Sequence, residues 1–570
     1  MAEIDGATLI ARCLKRHGVE YAFGIVGIPV QNVAEAMLRE GIRFIGMRHE
    51  QTAAYAAGAV GYLTGRPGVC LSVSGPGMTN ALSGLGNARV NCWPMLLLSG
   101  ANDSYQMSMG AFQEAPQLEA ARPFVKYAAR PDSAARLPYF IEQALRTSFY
   151  GRPGPAYLEL TADVITARVE EDGLRLPPRV AEPPRSFADP ASVEAALAAL
   201  RSAEQPLVIV GKGAAYARAE DEVRRFIETT QLPFITSPMG KGMLPDDHPL
   251  SVAAARSQAL QGADLICLIG ARLNWIMHFG LPPRFREGVR VIQLDIQPEE
   301  VGMNVPTEVA LVGDAKAVTG QLNAALAANP WQYPLETTWR TGLAQKGAAN
   351  AASNEASMSD EAVPMGYYRA LREIRDALPR DAMIVSEGAS TMDIGRQVLN
   401  NYLPRHRLDA GTWGTMGVGP AFAIAAQVVN PGQRVVAVEG DSAFGFSGME
   451  VEVACRHNLP IIFIVFNNDG VYGGQSELGP EHLSPGAFVP NARYEKVIEA
   501  FGGLGFYVET PAELAAALRQ ALDSGRPSLL NVIIGGPKSR GSRQFAWNAR
   551  EAGAAPPAAG LAPVNNADGN

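Results

Sequence analysis

Residues 439–452 read EGDSAFGFSGMEVE and lie between two apolar runs, RVVAVEG and LPIIFIVFNND. Both runs have the length and the β-branched content of buried strands. If these strands are parallel neighbours, Asp441 after the first run and Asn468 after the second emerge at the same edge of a sheet. The spacing from 441 to 468 leaves room for one helix and one strand, as in a βαβ unit.

The same alternation extends along the whole chain of 570 residues. Short apolar runs such as GVCLSVS, PMLLLSG, PLVIVG, DLICLIG and VRVIQLDI alternate with helix-like stretches, which predicts parallel sheets covered by helices. Two Pro-rich or polar segments, 166–191 and 329–364, are interpreted as linkers. The chain is therefore predicted to have domains at 1–165, 190–328 and 365–536, followed by a tail at 537–570.

The first and last thirds of the chain have Pro and Gly at similar positions around two strands. RPGVCLSVSGPG and NCWPMLLLSG can be laid over PGQRVVAVEGDS and HNLPIIFIVFNN. This pattern is consistent with a duplication and equally with an unrelated origin, since Pro and Gly recur between the strands and helices of all α/β proteins.

Composition excludes several classes of protein. A net charge of −8 argues against a non-specific nucleic-acid binder. The five cysteines are scattered without a C-x-x-C pair, which favours a reducing compartment over a disulfide or zinc framework. No run approaches the roughly 20 apolar residues of a membrane span, and neither end resembles a signal peptide or a peroxisomal tripeptide. A cytoplasmic enzyme without membrane or nucleic-acid partners is expected.

Asp441 and Asn468 together suggest a magnesium site. A carboxylate and an amide oxygen are hard ligands of the kind that Mg²⁺ prefers, and a backbone carbonyl at the Gly470 turn would add a third. The small residues Gly440 and Ser442 would admit phosphate oxygens to a helix start. Taken alone, Gly-Asp-Ser is better explained by a helix cap; the paired spacing is what favours the metal.

Glu50 is the second candidate catalytic group. In FIGMRHEQTAAYAAGAVGYLTG an apolar strand ends near Met47, and Glu50 opens an Ala-rich helix. A partly desolvated glutamate there could share a proton with a ligand. The alternative is a first-turn acid favoured by the helix dipole.

Together with YAFGIVGIP and SGPG, these features resemble the pyruvate-oxidase-like thiamine diphosphate enzymes. The resemblance implies three doubly wound α/β domains and active sites shared between subunits of a homodimer or homotetramer. It implies that Glu50 activates the cofactor at its pyrimidine ring and that Met416, otherwise a core methionine, props the cofactor into its bent shape. The implied cofactor-binding residues are Glu50, Met416, Gly440, Asp441, Ser442, Asn468 and Tyr472, and the implied metal ligands are Asp441, Asn468 and Gly470.

The middle third carries charged residues after its strands. VIVGKGAAYA lacks a complete G-x-G-x-x-G because position 216 is Tyr, so an NAD site is not supported. Lys212 and Arg272 could bind phosphates, and Asp295 a ribose or base edge; each could equally be a solvated charge. In the resembled family this domain binds FAD, the ADP part of coenzyme A, or ADP as an activator.

Longer stretches, among them MGAFQEAPQ, GARLNWIMHFGLPPRF and LPRHRLDAGTWGTMGVG, resemble the branch of 2-hydroxyacyl-CoA lyases and oxalyl-CoA decarboxylases. The resemblance implies reversible cleavage of an acyl-CoA substrate, a 2-hydroxyacyl-CoA, to formyl-CoA and an aldehyde or ketone. The alternative is decarboxylation of oxalyl-CoA. Phe112 and Gln113 stand where the decarboxylases tend to carry Tyr-Glu, and this favours the lyase. Ser390 stands where the resembled family often has Asn, so the resemblance does not define that part of the substrate pocket.

Two further classes are weighed against the lyase. An acetolactate synthase would bind flavin as well as thiamine diphosphate. A non-catalytic regulator with this fold is disfavoured by the intact Glu50, Asp441 and Asn468. The tail contains RQFAW at 543–547, of which Gln544 to Trp547 resembles an aromatic stretch of the lyases. The tail is predicted either to close over the substrate as a lid or to dock on the surface.

Overall fold

The computed structural model describes residues 3–471 and 482–535. Within these ranges, three parallel sheets follow one another along the chain, and helices connect their strands. The predicted α/β class with parallel sheets is therefore confirmed. Tyr472 and the tail predicted as a lid, 537–570, lie outside the described residues. No helix in the described ranges has both the length and the apolar character needed to cross a bilayer.

The first sheet has the strand order β3-β2-β4-β5-β7-β6, and β1 pairs antiparallel with β8 beside it. Its strands are β1 Glu3–Asp5, β2 Tyr21–Gly24, β3 Arg43–Gly46, β4 Gly68–Ser72, β5 Met95–Ala101, β6 Tyr127–Ala129, β7 Pro155–Thr161 and β8 Arg168–Glu170. Its helices are α1 Gly6–Arg16, α2 Gln31–Arg39, α3 Glu50–Thr64, α4 Pro76–Asn91, α5 Gln117–Ala121, α6 Leu137–Phe149 and α7 Ala162–Thr166.

The middle sheet has the order β10-β9-β11-β12-β13. Its strands are β9 Pro206–Val210, β10 Phe234–Thr236, β11 Leu265–Ile269, β12 Arg290–Asp295 and β13 Val309–Val312. Its helices are α8 Pro190–Ser202, α9 Lys212–Tyr216, α10 Glu220–Thr230, α11 Arg256–Gly262 and α12 Ala315–Ala328. The second predicted linker contains a further helix, α13 Thr338–Met358, capped by the side chain of Thr337.

The third sheet has the order β15-β14-β16-β17-β19-β18. Its strands are β14 Met383–Glu387, β15 Arg407–Asp409, β16 Val435–Gly440, β17 Ile462–Asn467, β18 Leu504–Val508 and β19 Ser528–Ile533. Its helices are α14 Tyr367–Ala377, α15 Ala389–Val398, α16 Gly419–Val429, α17 Asp441–Phe444, α18 Val451–Arg456, α19 Glu495–Glu499 and α20 Pro511–Ser524.

The first and third sheets have the same topology. Numbering the strands of each parallel sheet from one in chain order gives 2-1-3-4-6-5 in both cases. The strands GVCLS and VVAVEG, which the sequence aligns, are the third strand of each sheet, β4 and β16. The shared order supports the duplication that the sequence suggests.

Helix α3 joins the first sheet to the third. It is Ala-rich and buried along most of its length between α4 and α16. Gly84 of α4 lies so close that a Cβ there would be 2.1 Å from the Cβ of Ala54. The ring of Phe422 in α16 packs edge-on against Tyr55 at 6.4 Å between centroids. Because such close packing leaves little room for adjustment, α3 is a rigid support for the residue at its start, Glu50.

Candidate active site

Asp441 and Asn468 lie side by side at the carboxyl edge of the third sheet. Strands β16 and β17 are parallel neighbours, with Gly440 opposite Phe466. The Asp441 carboxylate accepts hydrogen bonds from the backbone N–H groups of Ser442 (2.7 Å), Asn468 (3.3 Å) and Gly470 (3.0 Å). The structure thus brings together three of the residues predicted for the metal site.

The carboxylate of Asp441 is buried, with 2% of the residue exposed. Burial raises its pKa to about 6, against the lowering effect of the three N–H donors. No ion pair to Asp441 exists in the described ranges. A buried acid that lacks a cationic partner is the kind of group that a bound cation would stabilise.

The two adjacent asparagines have different environments. Asn467 is buried and donates to the carbonyl of Ala492 at 3.1 Å, while its Oδ1 accepts from the N–H of Asp469. Asn468 is half-buried, and its Nδ2 donates to the hydroxyl of Tyr367 at 3.2 Å. Asn467 therefore braces the turn, and Asn468 is the asparagine whose amide oxygen suits a metal.

The donor set fits magnesium better than zinc. Among the described residues, no group of three or more His, Cys, Asp or Glu side chains is arranged to hold a metal. One carboxylate, one amide oxygen and the Gly470 carbonyl are hard ligands, which leave the rest of an octahedral shell for phosphate oxygens and water.

Glu50 begins α3, as the sequence predicts, and is 8% exposed. Asn80 of α4 donates to its Oε2 at 3.1 Å. Gly77, from the SGPG stretch, lies so near that a Cβ there would be 3.2 Å from Glu50 Oε1 and 2.6 Å from a methyl of Val73. A larger residue at 77 would crowd the carboxyl group, which explains the glycine in physical terms.

The Met416 loop is held by a buried acid. Glu387, at the end of β14, accepts hydrogen bonds from the N–H groups of Gly417 and Gly419, the latter at 2.6 Å. Burial raises the pKa of Glu387 above its usual range. Met416 itself is half-buried, so the structure places it on an anchored loop rather than in the core.

Phe112 and Gln113 lie on a loop that approaches the start of α4. Phe112 is 71% exposed, and its carbonyl accepts from Asn102 Nδ2 at 2.7 Å. Gln113 has a φ of +57°, and a Cβ on Gly75 would be 2.4 Å from the Gln113 carbonyl oxygen. The loop therefore packs against the helix that also contacts Glu50, and it presents an apolar ring to solvent.

A separate cavity of about 660 Å³ adjoins the middle sheet. All three predicted nucleotide-binding residues, Lys212, Arg272 and Asp295, line it, together with Arg152. Arg152 forms ion pairs with Asp295 at 2.8 Å and with Glu300. The carboxylate assigned to a ribose or base edge is therefore already engaged by a cation that the sequence analysis missed.

Lys212 is unusual among these cations. Its Nζ donates to Asn91 Oδ1 at 2.5 Å and to Thr412 Oγ1 at 3.3 Å. Burial, followed by the charge of Arg272, lowers its pKa to about 7. An anion entering the cavity would restore the charge of this lysine.

Comparison with protein-family models gives matches in three consecutive parts of the chain. Residues 4–120 match the N-terminal TPP-binding domain of thiamine pyrophosphate enzymes, residues 193–322 their central domain, and residues 387–532 their C-terminal TPP-binding domain. The chain belongs to the thiamine pyrophosphate enzyme family. Both cofactor-binding domains of a thiamine pyrophosphate enzyme are thus present, and they contain Glu50, Asp441 and Asn468.

Individual thiamine pyrophosphate enzymes are similar over nearly the whole chain. A human protein named 2-hydroxyacyl-CoA lyase 1 is 52% identical, over 96% of this chain and 97% of its own length. A 2-hydroxyacyl-CoA lyase of Arabidopsis thaliana is 45% identical, over 93% of this chain and 96% of its own. An oxalyl-CoA decarboxylase of Escherichia coli K12 is 44% identical, over 93% and 95%.

Several buried acids of this thiamine pyrophosphate enzyme were not singled out from the sequence, among them Glu387, Glu439 and Glu450. Glu387 and Glu439 are opposite each other on β14 and β16. Burial and the neighbouring Glu387 raise the pKa of Glu439 well above its usual range. Glu387 and Glu439 lie at the end of apolar runs, in MIVSEG and VVAVEG. A charged residue inside such a run is a signal that could have identified the strand-end pair.

Proposed function

We propose that the protein is a thiamine diphosphate-dependent carbon–carbon lyase. It cleaves 2-hydroxyacyl-CoA to formyl-CoA and an aldehyde or ketone, and it catalyses the reverse condensation. The observation that carries this proposal is the similarity, over nearly the full length of both chains, to proteins named 2-hydroxyacyl-CoA lyase. Asp441 and Asn468, which lie side by side, would supply the cofactor site that such a reaction requires.

The described residues fit the cofactor at both of its ends. Asp441, Asn468 and the Gly470 carbonyl would hold Mg²⁺, and the small residues Gly440 and Ser442 would admit the diphosphate. When bound, thiamine diphosphate supplies a nucleophilic carbon and an electron sink for breaking the bond between C1 and C2 of the substrate.

Glu50 would hold a proton on the pyrimidine side of the site. Asn80 donates to Oε2, so we assign Oε1 to the proton shared with the pyrimidine nitrogen. Burial of Glu50 beside α4 excludes water from that proton. Met416, on the loop that Glu387 anchors, would support the cofactor in its bent shape.

The alternative substrate is oxalyl-CoA, and the similarity to an oxalyl-CoA decarboxylase keeps this alternative in view. Phe112 and Gln113 favour the lyase because an apolar ring and a neutral amide suit an uncharged acyl chain. A carboxylate desolvated there without a charged partner would carry a free-energy penalty.

Substrate choice is tested directly. The purified enzyme is expected to give a kcat/KM for a 2-hydroxyacyl-CoA at least tenfold above that for oxalyl-CoA, a difference of about 1.4 kcal/mol in the barrier. Formyl-CoA released from each substrate is quantified by chromatography. The double variant Phe112→Tyr/Gln113→Glu should move the ratio toward oxalyl-CoA, and Tyr105→Phe on the same exposed segment serves as the control. A tenfold preference for oxalyl-CoA in the unmodified enzyme would establish the decarboxylase instead.

We further propose that the cavity beside the middle sheet binds the ADP part of coenzyme A, or free ADP as an activator. Its volume of about 660 Å³ and its cations Lys212, Arg272 and Arg152 support a ligand that carries phosphates. Lys212 and Arg272 would contact the phosphates. Asp295, together with Arg152, would contact the ribose or base.

The pKa of Lys212 gives this site an expected pH dependence. The lysine is charged below about pH 7 and neutral above it, so ADP affinity should fall as pH rises through 7, by up to tenfold per pH unit. Binding at pH 8 should take up a proton, detected by calorimetry in buffers of different ionisation enthalpy. Lys212→Arg, which stays charged, should abolish the uptake, while ionisation of the ADP phosphate itself is common to both proteins. Equal proton uptake by both would contradict the assignment of Lys212.

We also propose that the active sites form between subunits, in a homodimer or homotetramer. Large apolar side chains are exposed near the strand ends of both cofactor-binding sheets. Ile28 is 78% exposed beside the first sheet, and Phe446 is 62% exposed beside the third. A second copy of the chain would cover such residues.

A further inference from the structure

Glu450 joins the third sheet to the start of the helix that carries Glu50. It ends the short 3₁₀ turn Gly448–Glu450, just before α18, and is 1% exposed. Its carboxylate accepts hydrogen bonds from the N–H of Arg48 at 3.2 Å, the N–H of His49 at 3.1 Å and the hydroxyl of Thr52. These contacts span about 400 positions of sequence.

The three donors flank Glu50 on both sides, at positions 48, 49 and 52. Two of them belong to the segment between β3 and α3, where the chain turns into the helix. Local hydrogen bonds also shape this turn: His49 Nδ1 accepts from the N–H of Gln51, and Thr52 Oγ1 lies 2.7 Å from the His49 carbonyl oxygen. Arg456 of α18 donates to the Gly46 carbonyl just before the turn, and Glu450 is the acid that contacts the residues on both sides of Glu50.

Keeping Glu450 buried has a cost. Burial raises its pKa to about 7, although the Thr52 hydroxyl and the two N–H groups act in the opposite direction. A neutral residue would avoid that desolvation, but it would leave backbone donors without an acceptor of the same capacity. The acid is therefore suited to holding this particular turn.

We propose that Glu450 is a positioning residue for Glu50 in the reaction. By accepting hydrogen bonds from residues 48, 49 and 52, Glu450 fixes the orientation and the depth of the Glu50 carboxyl group in the active site. The proposal rests on the activating role assigned to Glu50 above. A displacement of about 1 Å in a proton-transfer group can lower the rate of the catalysed reaction by roughly 100-fold.

The test uses Glu450→Gln in the full-length enzyme. Gln keeps the size and the Oε1 acceptor that faces Arg48, His49 and Thr52. Its amide group replaces Oε2, which accepts from the N–H of Arg48 at 3.2 Å, so a donor would face a donor there and the turn would have to shift. At saturating thiamine diphosphate and Mg²⁺, we expect C2-proton exchange of the bound cofactor, followed by NMR after acid quench, to slow about 10- to 100-fold. We expect kcat to fall in parallel. The cofactor Kd and the KM for the CoA substrate should stay within twofold of the unmodified enzyme, and the Tm within a few degrees.

The rate of C2-proton exchange at saturating cofactor distinguishes a positioning role of Glu450 from a purely structural one. Loss of a purely structural residue would change the Tm or the cofactor affinity but would leave the exchange rate of the bound cofactor unchanged. Glu499→Gln is the matched control: it neutralises a glutamate of α19 that pairs with Lys496 at 2.7 Å, and its exchange rate should equal that of the unmodified enzyme. If Glu450→Gln does not fold, Thr52→Val removes one donor from the same carboxylate and should slow exchange to a smaller degree, at least threefold.

Glu50→Gln, measured in the same series, distinguishes the two levels of failure. If Glu50→Gln exchanges at the unmodified rate, the activating role of Glu50 is wrong and this inference falls with it. If Glu50→Gln is slow but both Glu450→Gln and Thr52→Val are normal, only the positioning role of Glu450 is overturned.

Discussion

Replacing Glu50 by Gln is expected to leave thiamine diphosphate bound and to slow exchange of its C2 proton by roughly 10²- to 10⁴-fold, the range that a positioned acid–base group contributes. Gln has nearly the shape of Glu and still accepts the hydrogen bond from Asn80. It cannot share an acidic proton with the pyrimidine ring. The loss should therefore appear in kcat and in the exchange rate, with little change in cofactor affinity.

The measurement is exchange into deuterated solvent at saturating cofactor, with NMR detection. Glu35→Gln on the exposed side of α2, where the acid pairs with Arg39 at 3.7 Å, is the control for neutralising a glutamate of the same sheet's helices. An unchanged exchange rate in Glu50→Gln would remove Glu50 from the catalytic residues. A large rise in the cofactor Kd would instead make it an anchoring residue.

Replacing Asp441 by Ala is the second change with a large expected effect. The variant loses the carboxylate of the proposed metal site, so affinity for both Mg²⁺ and thiamine diphosphate should fall at least about 100-fold, since even outer-shell changes at metal sites cost 10- to 100-fold. Chelation of Mg²⁺ from the unmodified enzyme should reproduce the loss of cofactor.

Titration calorimetry of thiamine diphosphate with and without Mg²⁺ gives the affinities. The Tm of the cofactor-free variant must be measured beside it, because three N–H groups, that of Gly470 fully buried, lose their acceptor. Asp376→Asn, at an exposed ion pair of α14, controls for charge. Cofactor affinity equal to that of the unmodified enzyme would refute the metal assignment.

The residues at the carboxyl edge of the third sheet were predictable because each is identified by its immediate neighbours in the sequence. Asp441 and Asn468 each follow an apolar run, and parallel neighbours bring such positions together. Glu50 was predictable in the same way, as the first residue of a helix after a strand. Periodicity and strand-end position therefore predicted the fold class and where these residues lie, while their roles in the candidate site rest on the resemblance to thiamine diphosphate enzymes.

The residues that brace the site were not predictable in this way. Glu450 acts on groups about 400 positions away, and Arg152 pairs with Asp295, which lies 143 positions further along the chain. Hydrogen bonds of that separation exist only after the sheets have packed. Residues 329–364 illustrate the same limit: composition predicts a linker, but Thr337 caps a helix of 21 residues within it.

The shared strand order of the first and third sheets also has an evolutionary consequence. Asn468 follows the fourth strand of its sheet, and Asn102 follows the fourth strand of the other. The residue directly after the third strand is Asp441 in the third sheet and Val73 in the first, and Val73 has no charge to offer a metal. If one ancestral unit gave rise to both, the two asparagines now have different partners: Asn468 lies beside Asp441 at the proposed metal site, and Asn102 donates to the Phe112 carbonyl on the loop proposed to select the substrate.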